Sequence, residues 1–122
     1  MKLHLARAPG RNEFTGYGEG YVAVNNERYD RALVVSAHHA VQAWDAHDIE
    51  GLSPADFDTV LALNPEIVIL GTGGTLRFPR PEIMRTFAAN AIGFEVMDTK
   101  AACRTYNVLV TEGRQVVAAI LI

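Results

Sequence analysis

Two runs in this chain, Ile67-Val68-Ile69-Leu70 and Val116-Val117-Ala118-Ala119-Ile120-Leu121-Ile122, are apolar without interruption. Both fall well short of the roughly 18 residues a membrane helix needs, and turn residues bound them. Asn64-Pro65 precedes the first run and Gly71-Thr72-Gly73-Gly74 stops it, while Glu112-Gly113-Arg114 turns the chain into the second. Runs of this kind read as strands buried on both faces, the first as a strand of a parallel sheet. The second is too continuous for an exposed edge and belongs inside the sheet.

Around these runs the hydrophobic period becomes helical. Ser53 is an N-cap candidate with Pro54 at the first helical position and Asp56 where a capping box places its acid. Phe57, Val60, Leu61 and Asn64 follow at helical spacing. Pro79 and Pro81 open a second helix, in which Ile83, Met84, Phe87, Ala88 and Ala91 form one apolar stripe that Gly93 closes. Phe94–Asp98 is the next strand. A third helix starts at Asp98 or Thr99, with Ala102, Tyr106, Leu109 and Val110 inward and Lys100, Arg104 and Thr111 outward.

The first half reads as an antiparallel meander: Gly20–Val24, an Asn25-Asn26 turn, Glu27–Tyr29, a strand within Arg31–Ala37, and Val41–Asp45 with Trp44. Residues 1–20, with Gly10, Gly16, Gly18 and Gly20, read as an irregular arm. The expected fold is α/β: a single domain over 1–122, with a mixed β-sheet, an antiparallel N-terminal portion, a β-α-β-α-β C-terminal half and helices packed on the sheet. Crossovers between parallel strands should be right-handed.

Composition then removes several classes of function. A chain of 122 residues fits one domain. The one cysteine, Cys103, excludes an internal disulfide framework and a multi-cysteine zinc site. A net charge of −3 lacks the basic footprint of a nucleic-acid binder, and no run is long enough for membrane insertion. Residues 1–20 hold no apolar core of signal-peptide length, and Glu13 and Glu19 do not suit a transit peptide, so a cytoplasmic protein is expected.

The best candidate site is the loop that follows Leu70. In open α/β sheets, ligands bind beyond the carboxyl ends of parallel strands, and two expected strands end near Leu70 and Asp98. Gly71, Thr72, Gly73 and Gly74 would expose bare backbone, and the helix starts near Pro81 and Thr99 would offer N–H groups. Arg77, Arg80, Lys100 and Arg104 add positive charge, so Gly71–Gly74, Arg77, Asp98, Thr99 and Arg104 together suit a carboxylate or phosphate. The competing reading is local: glycines make a tight turn, and Asp98 and Thr99 cap a helix. No cofactor motif is present. A dinucleotide fingerprint wants glycine where Leu76 stands, and a phosphate loop wants Lys before Ser or Thr. Cys103 lacks a histidine nearby in sequence, and free cysteines are commonly buried. His38, His39, Asp45, His47 and Asp48 have no regular ligand spacing and read as polar loop residues. Asn107 sits mid-helix, where Asn is disfavoured, and should make a specific hydrogen bond, structural or at a partner surface.

Three stretches resemble one small-domain family. They are Glu66-Ile67-Val68-Ile69-Leu70-Gly71-Thr72-Gly73, then Glu95-Val96-Met97-Asp98-Thr99-Lys100-Ala101-Ala102-Cys103-Arg104-Thr105-Tyr106-Asn107, and Glu112-Gly113-Arg114-Gln115-Val116-Val117-Ala118-Ala119-Ile120-Leu121. That family includes mitochondrial assembly factor 3 of respiratory complex I (NADH:ubiquinone oxidoreductase), a cytosolic adipogenesis-associated protein, and bacterial and archaeal members of unknown function. The resemblance implies a three-layer domain and no settled enzyme activity. Because the mitochondrial member acts by binding protein partners, it also implies a non-enzymatic interaction or assembly module with a protein partner. No presequence is expected here. The alternative is a small-molecule binder, or an enzyme, that uses the Gly71–Gly74 loop for an anionic ligand.

Overall fold

The computed structural model describes residues 10–122. The first nine residues of the expected arm, His4 among them, lie outside the described residues. The rest of the arm is corrected in part: Phe14–Gly18 forms strand β1, antiparallel to β2 (Tyr21–Val24). Its glycines disguise it, although its partner β2 follows at once across the Glu19-Gly20 turn. β2 pairs with β3 (Glu27–Tyr29) across Asn25 and Asn26, whose φ values of 52° and 72° make the expected two-residue hairpin turn.

The single antiparallel meander is also corrected. After β3 the exposed pair Asp30-Arg31 carries the chain into a second sheet. This sheet has the order β5-β4-β8-β6-β7, formed by β4 (Leu33–Ser36), β5 (Gln42–Ala43), β6 (Ile67–Thr72), β7 (Gly93–Met97) and β8 (Val116–Leu121). The reason lies in burial. β4 is buried at all four positions and needs cover on both faces, whereas β3 is exposed or half-buried throughout. The expected Val41–Asp45 strand shrinks to Gln42–Ala43, because Trp44 turns inward and its indole N–H donates to the Asp56 carbonyl at 2.8 Å.

β8 is central and buried at all six positions. It runs parallel to β6, which is also parallel to β7, and antiparallel to β4. Helix α2 (Pro81–Ala89) links β6 to β7, and α3 (Thr99–Thr111) links β7 to β8. These connections run in opposite directions along the sheet and pack on opposite faces, as two crossovers of one hand must. Strand alternation sends Val68, Leu70, Val117, Ala119 and Leu121 to one face, against Trp44, Phe57, Ile83 and Phe87. Ile69, Val116, Ala118 and Ile120 go to the other, against Ala102, Cys103, Tyr106 and Val110 of α3 and Phe14, Val22 and Val24 of the small sheet. The result is three layers.

On the first face a 3-10 turn (Pro54–Phe57) leads directly into the short helix α1 (Asp58–Leu61). The Ser53 N–H donates to the Asp56 carboxylate at 2.8 Å, the acid half of the anticipated box. Phe57 is fully buried and sits 5.2 Å edge-on to Phe87, which stacks on Phe94 at 4.3 Å. The apolar stripe assigned to α2 is narrower than expected. Ile83 and Phe87 are buried, one turn apart, while Met84, Ala88 and Ala91 face solvent. Nine helical residues present only one line to the aromatic cluster.

Asn107 joins α3 to the small sheet. Its Oδ1 accepts from the Phe14 N–H at 2.9 Å and its Nδ2 donates to the Phe14 carbonyl at 2.8 Å, so one amide substitutes for a strand partner. Replacing Asn107 with Ala would leave both backbone groups unsatisfied beside Tyr106. The expected cost is about 1–3 kcal/mol in chemical denaturation. Faster amide exchange should be confined to β1 and β2, and unchanged protection there would contradict this role.

Candidate functional site

β6 and β7 lie side by side in parallel, and the chain leaves their carboxyl ends toward opposite faces of the sheet. That divergence opens a crevice of the kind that holds ligands in α/β proteins. Here it is a hollow of about 440 Å³, lined by Gly73, Gly74, Asp98, Thr99 and Lys100 on one side. The β1–β2 turn, with Tyr17, Glu19 and Tyr21, forms the other side.

Thr99 is buried and ties three elements together at this point. Its hydroxyl donates to the Leu121 carbonyl at 2.5 Å and accepts the Gly73 N–H at 2.9 Å, while its own N–H donates to the Gly73 carbonyl at 2.9 Å. One residue thereby fixes the ends of β6 and β8 against the start of α3. Asp98 is the N-cap, and its Oδ1 accepts from the Ala101 N–H at 2.9 Å. Two first-turn donors of α3 are thus already bonded within the protein.

The glycines divide by role. A Cβ at Gly71 would lie 2.9 Å from Ile120 Cδ1 and 3.0 Å from Thr99 Oγ1, so this glycine lets α3 press onto β6. Gly73, with φ of +92°, makes the turn that brings its N–H and carbonyl to Thr99. Gly74 has open space around it. The Thr72 hydroxyl is spent on its own loop, donating to the Thr75 carbonyl at 2.7 Å and accepting from the Arg77 N–H at 3.2 Å.

The cations are not gathered around the hollow. Arg77 pairs with Glu50, and Arg80 Nη2 donates to the Leu52 carbonyl at 2.8 Å. Arg104 Nη1 donates to the Tyr17 hydroxyl at 2.9 Å and lines a neighbouring hollow with Cys103 and Asn107. The charged side chains lining the hollow at the strand ends are Lys100, Glu19 and Asp98. The structure therefore brings Gly73, Gly74, Asp98 and Thr99 together, keeps Gly71 beneath them, holds Arg77 away on Glu50, and turns Arg104 onto the Tyr17 hydroxyl, within electrostatic reach of Asp98. Tyr17, Glu19 and Tyr21 were hidden from sequence reading, because only the Asn107 clamp and the β1–β2 pairing carry that turn to the strand ends.

The remaining candidates lie elsewhere. Cys103 lies on the buried face of α3, and desolvation pushes its thiol up to about 12, so it stays neutral in the folded protein. His39 Nδ1 lies 3.1 Å from the Ser36 hydroxyl, and His47 Nε2 is 3.9 Å from Asp45 Oδ1 on the exposed surface. Among the described residues, no three His, Cys, Asp or Glu side chains come together as metal ligands.

Thr99→Val should lower stability by about 1–3 kcal/mol, since Gly73 N–H and Leu121 C=O lose a buried partner without any change in volume. Thr99→Ser should recover most of that in urea denaturation. Equal losses in the two variants would mean that the methyl group, not the hydroxyl, holds this junction.

This three-layer arrangement recurs in known proteins. A Bordetella parapertussis protein of known crystal structure is 36% identical, with a TM-score of 0.88 over 93% of this chain and 98% of that one. A Bordetella pertussis protein described as a Mth938-like domain is 32% identical, with a TM-score of 0.83 over 99% of this chain and 92% of that one. A Francisella tularensis protein named 13 kDa major membrane protein is 34% identical over 109 residues, 88% of this chain and 89% of that protein. The Bos taurus NADH dehydrogenase [ubiquinone] 1 alpha subcomplex assembly factor 3 is 33% identical over 104 residues, 84% of this chain. This chain spans 55% of the length of that assembly factor. Residues 14–121 match the family model described as protein of unknown function (DUF498/DUF598), and the chain belongs to that family.

Proposed function

We propose that this chain is a non-enzymatic protein-interaction module that assists assembly of a larger complex. The observation that carries this reading is the 33% identity to complex I assembly factor 3, which extends over 104 residues and so covers nearly the whole folded domain. The chemistry of the crevice agrees with it. The hydroxyl of Thr99, one carboxylate oxygen of Asp98 and the backbone of Gly73 are engaged in holding strand ends to α3. We place the module in the cytoplasm. Among the described residues no helix is long and apolar enough to cross a membrane, and that sits alongside a Francisella relative named as a membrane protein. Pull-down from a native lysate should recover a reproducible partner in stoichiometric amount. Repeated recovery of background alone would remove the proposal.

A second reading, a small carboxylate or phosphate ligand at the Gly71–Gly74 loop, draws on the hollow beside Gly73 and Gly74. Lys100 is the cation that lines it, and Arg77 and Arg104 would have to leave Glu50 and Tyr17 to reach it. A thermal-shift screen of organic acids and nucleotides decides this. A true ligand at a hundred times its dissociation constant adds about 2.7 kcal/mol of stability. A hit should weaken in Lys100→Ala, and no shift across the screen would discard the reading.

A further inference from the structure

The five-stranded sheet ends at β7, and that end is left open. The Gly93 N–H donates to the Glu66 carbonyl at 3.0 Å, so in this parallel pair Gly93, Glu95 and Met97 turn their backbone groups toward β6. Phe94 and Val96 direct theirs outward, and among the described residues nothing pairs with them there. The other edges are protected. β5 spans two residues, β3 spans three with Glu27 and Arg28 exposed, and Asn107 occupies both backbone groups of Phe14 on β1. β7 has five residues, with no proline, no lysine and no break in register.

The two faces beside this edge differ. On one, Phe94 and Val96 pack into the layer of α2, and Phe94 stacks on Phe87 at 4.3 Å. Successive residues of an α-helix turn by about 100°. In a right-handed crossover from β6 to β7, the position after each buried one therefore leans over the open side of β7. Ile83 and Phe87 are the buried positions, so Met84 and Ala88 overhang the place a further strand would take. Half-buried Thr86 lies on the inner side. On the opposite face Gly93 is bare and Met97 packs against the α3 layer. Glu95 stands exposed there, with no ion pair among the described residues.

We infer that β7 receives an extended segment of a protein partner, whose alternate side chains are apolar toward α2 and basic opposite Glu95. Backbone pairing supplies the affinity, and the two unlike faces supply the selection. A second copy of this chain is the poorer occupant. Pairing β7 with itself brings one Glu95 near the other, and like charges across a ladder repel. The inference rests on the protein-partner reading and names what that partner must offer.

A blocked heptapeptide of alternating valine and lysine, titrated into the full chain and followed by amide NMR, tests the inference. Binding should shift and protect the Phe94 and Val96 amides. A valine–glutamate peptide of equal length should bind about fivefold more weakly. Glu95→Lys should reverse that preference, and Ala88→Glu, on the overhang, should weaken both peptides. Both positions are exposed, so both variants should keep the wild-type melting temperature. Val96→Pro removes an N–H that faces away from β6 and should abolish binding of either peptide; the two exposed variants carry the test if it does not fold. No shift at Phe94 and Val96, or a preference for lysine that survives Glu95→Lys, overturns the inference. Protection of those two amides that grows with protein concentration alone would make the edge an interface between copies, and the assignment to a foreign strand wrong. If Glu95→Lys and Ala88→Glu still capture the pull-down partner while no peptide binds, the assembly reading stands and this one falls.

Discussion

Two adjacent parallel strands, β6 and β8, must lose water on both faces at once, and the position of every other element answers to that demand. β8 has no exposed position along its length, and β6 is nearly as deep. Hydrophobic burial of this kind is non-directional, so it specifies that two covering layers exist but not what they are made of. One layer is supplied by the 3-10 turn, α1 and α2 around Phe57, the other by α3 and the three-stranded sheet around Tyr106. The small sheet has no need of cover on its outer face, which is why its strands tolerate charge where β4, β6 and β8 do not.

The strand ends show how this fold handles the crevice that parallel α/β topology creates. Such a crevice has unpaired backbone groups at strand tips and at a helix start, and in many proteins a ligand satisfies them. Here Thr99 and Asp98 satisfy several of them from within the chain, and the β1–β2 turn forms the opposite wall. A likeness of fold therefore transfers the position of a crevice without transferring its chemistry. The assembly-factor relative shares the domain over most of this chain while extending well beyond it, so the shared part is the packed scaffold and the surfaces it presents.

Legibility followed the range of the interactions involved. The helix starts at Pro54, Pro81 and Thr99, the Asn25-Asn26 turn and the buried strand at Ile67 rest on contacts within a few residues, and local pattern was enough to find them. The narrow stripe of α2 was overread because Met84 and Ala88 have the right spacing but nothing to pack against. The grouping of Gly73, Gly74, Asp98 and Thr99 was legible from topology alone, since parallel strands must end on one side. The dispersal of Arg77 and Arg104 was not, because a flexible cation goes to whichever acceptor the fold brings within reach, here Glu50 and Tyr17.

From the order of its residues alone, this chain was bound to form a covered, mixed sheet of buried strands joined by helices, because period and burial are written locally. Only the three-dimensional arrangement decided that the first half splits into two sheets, that Asn107 grips Phe14 across 93 positions of sequence, and that the hairpin turn walls the strand ends. Those choices depend on which surfaces meet, and no local pattern records a meeting between residues so far apart.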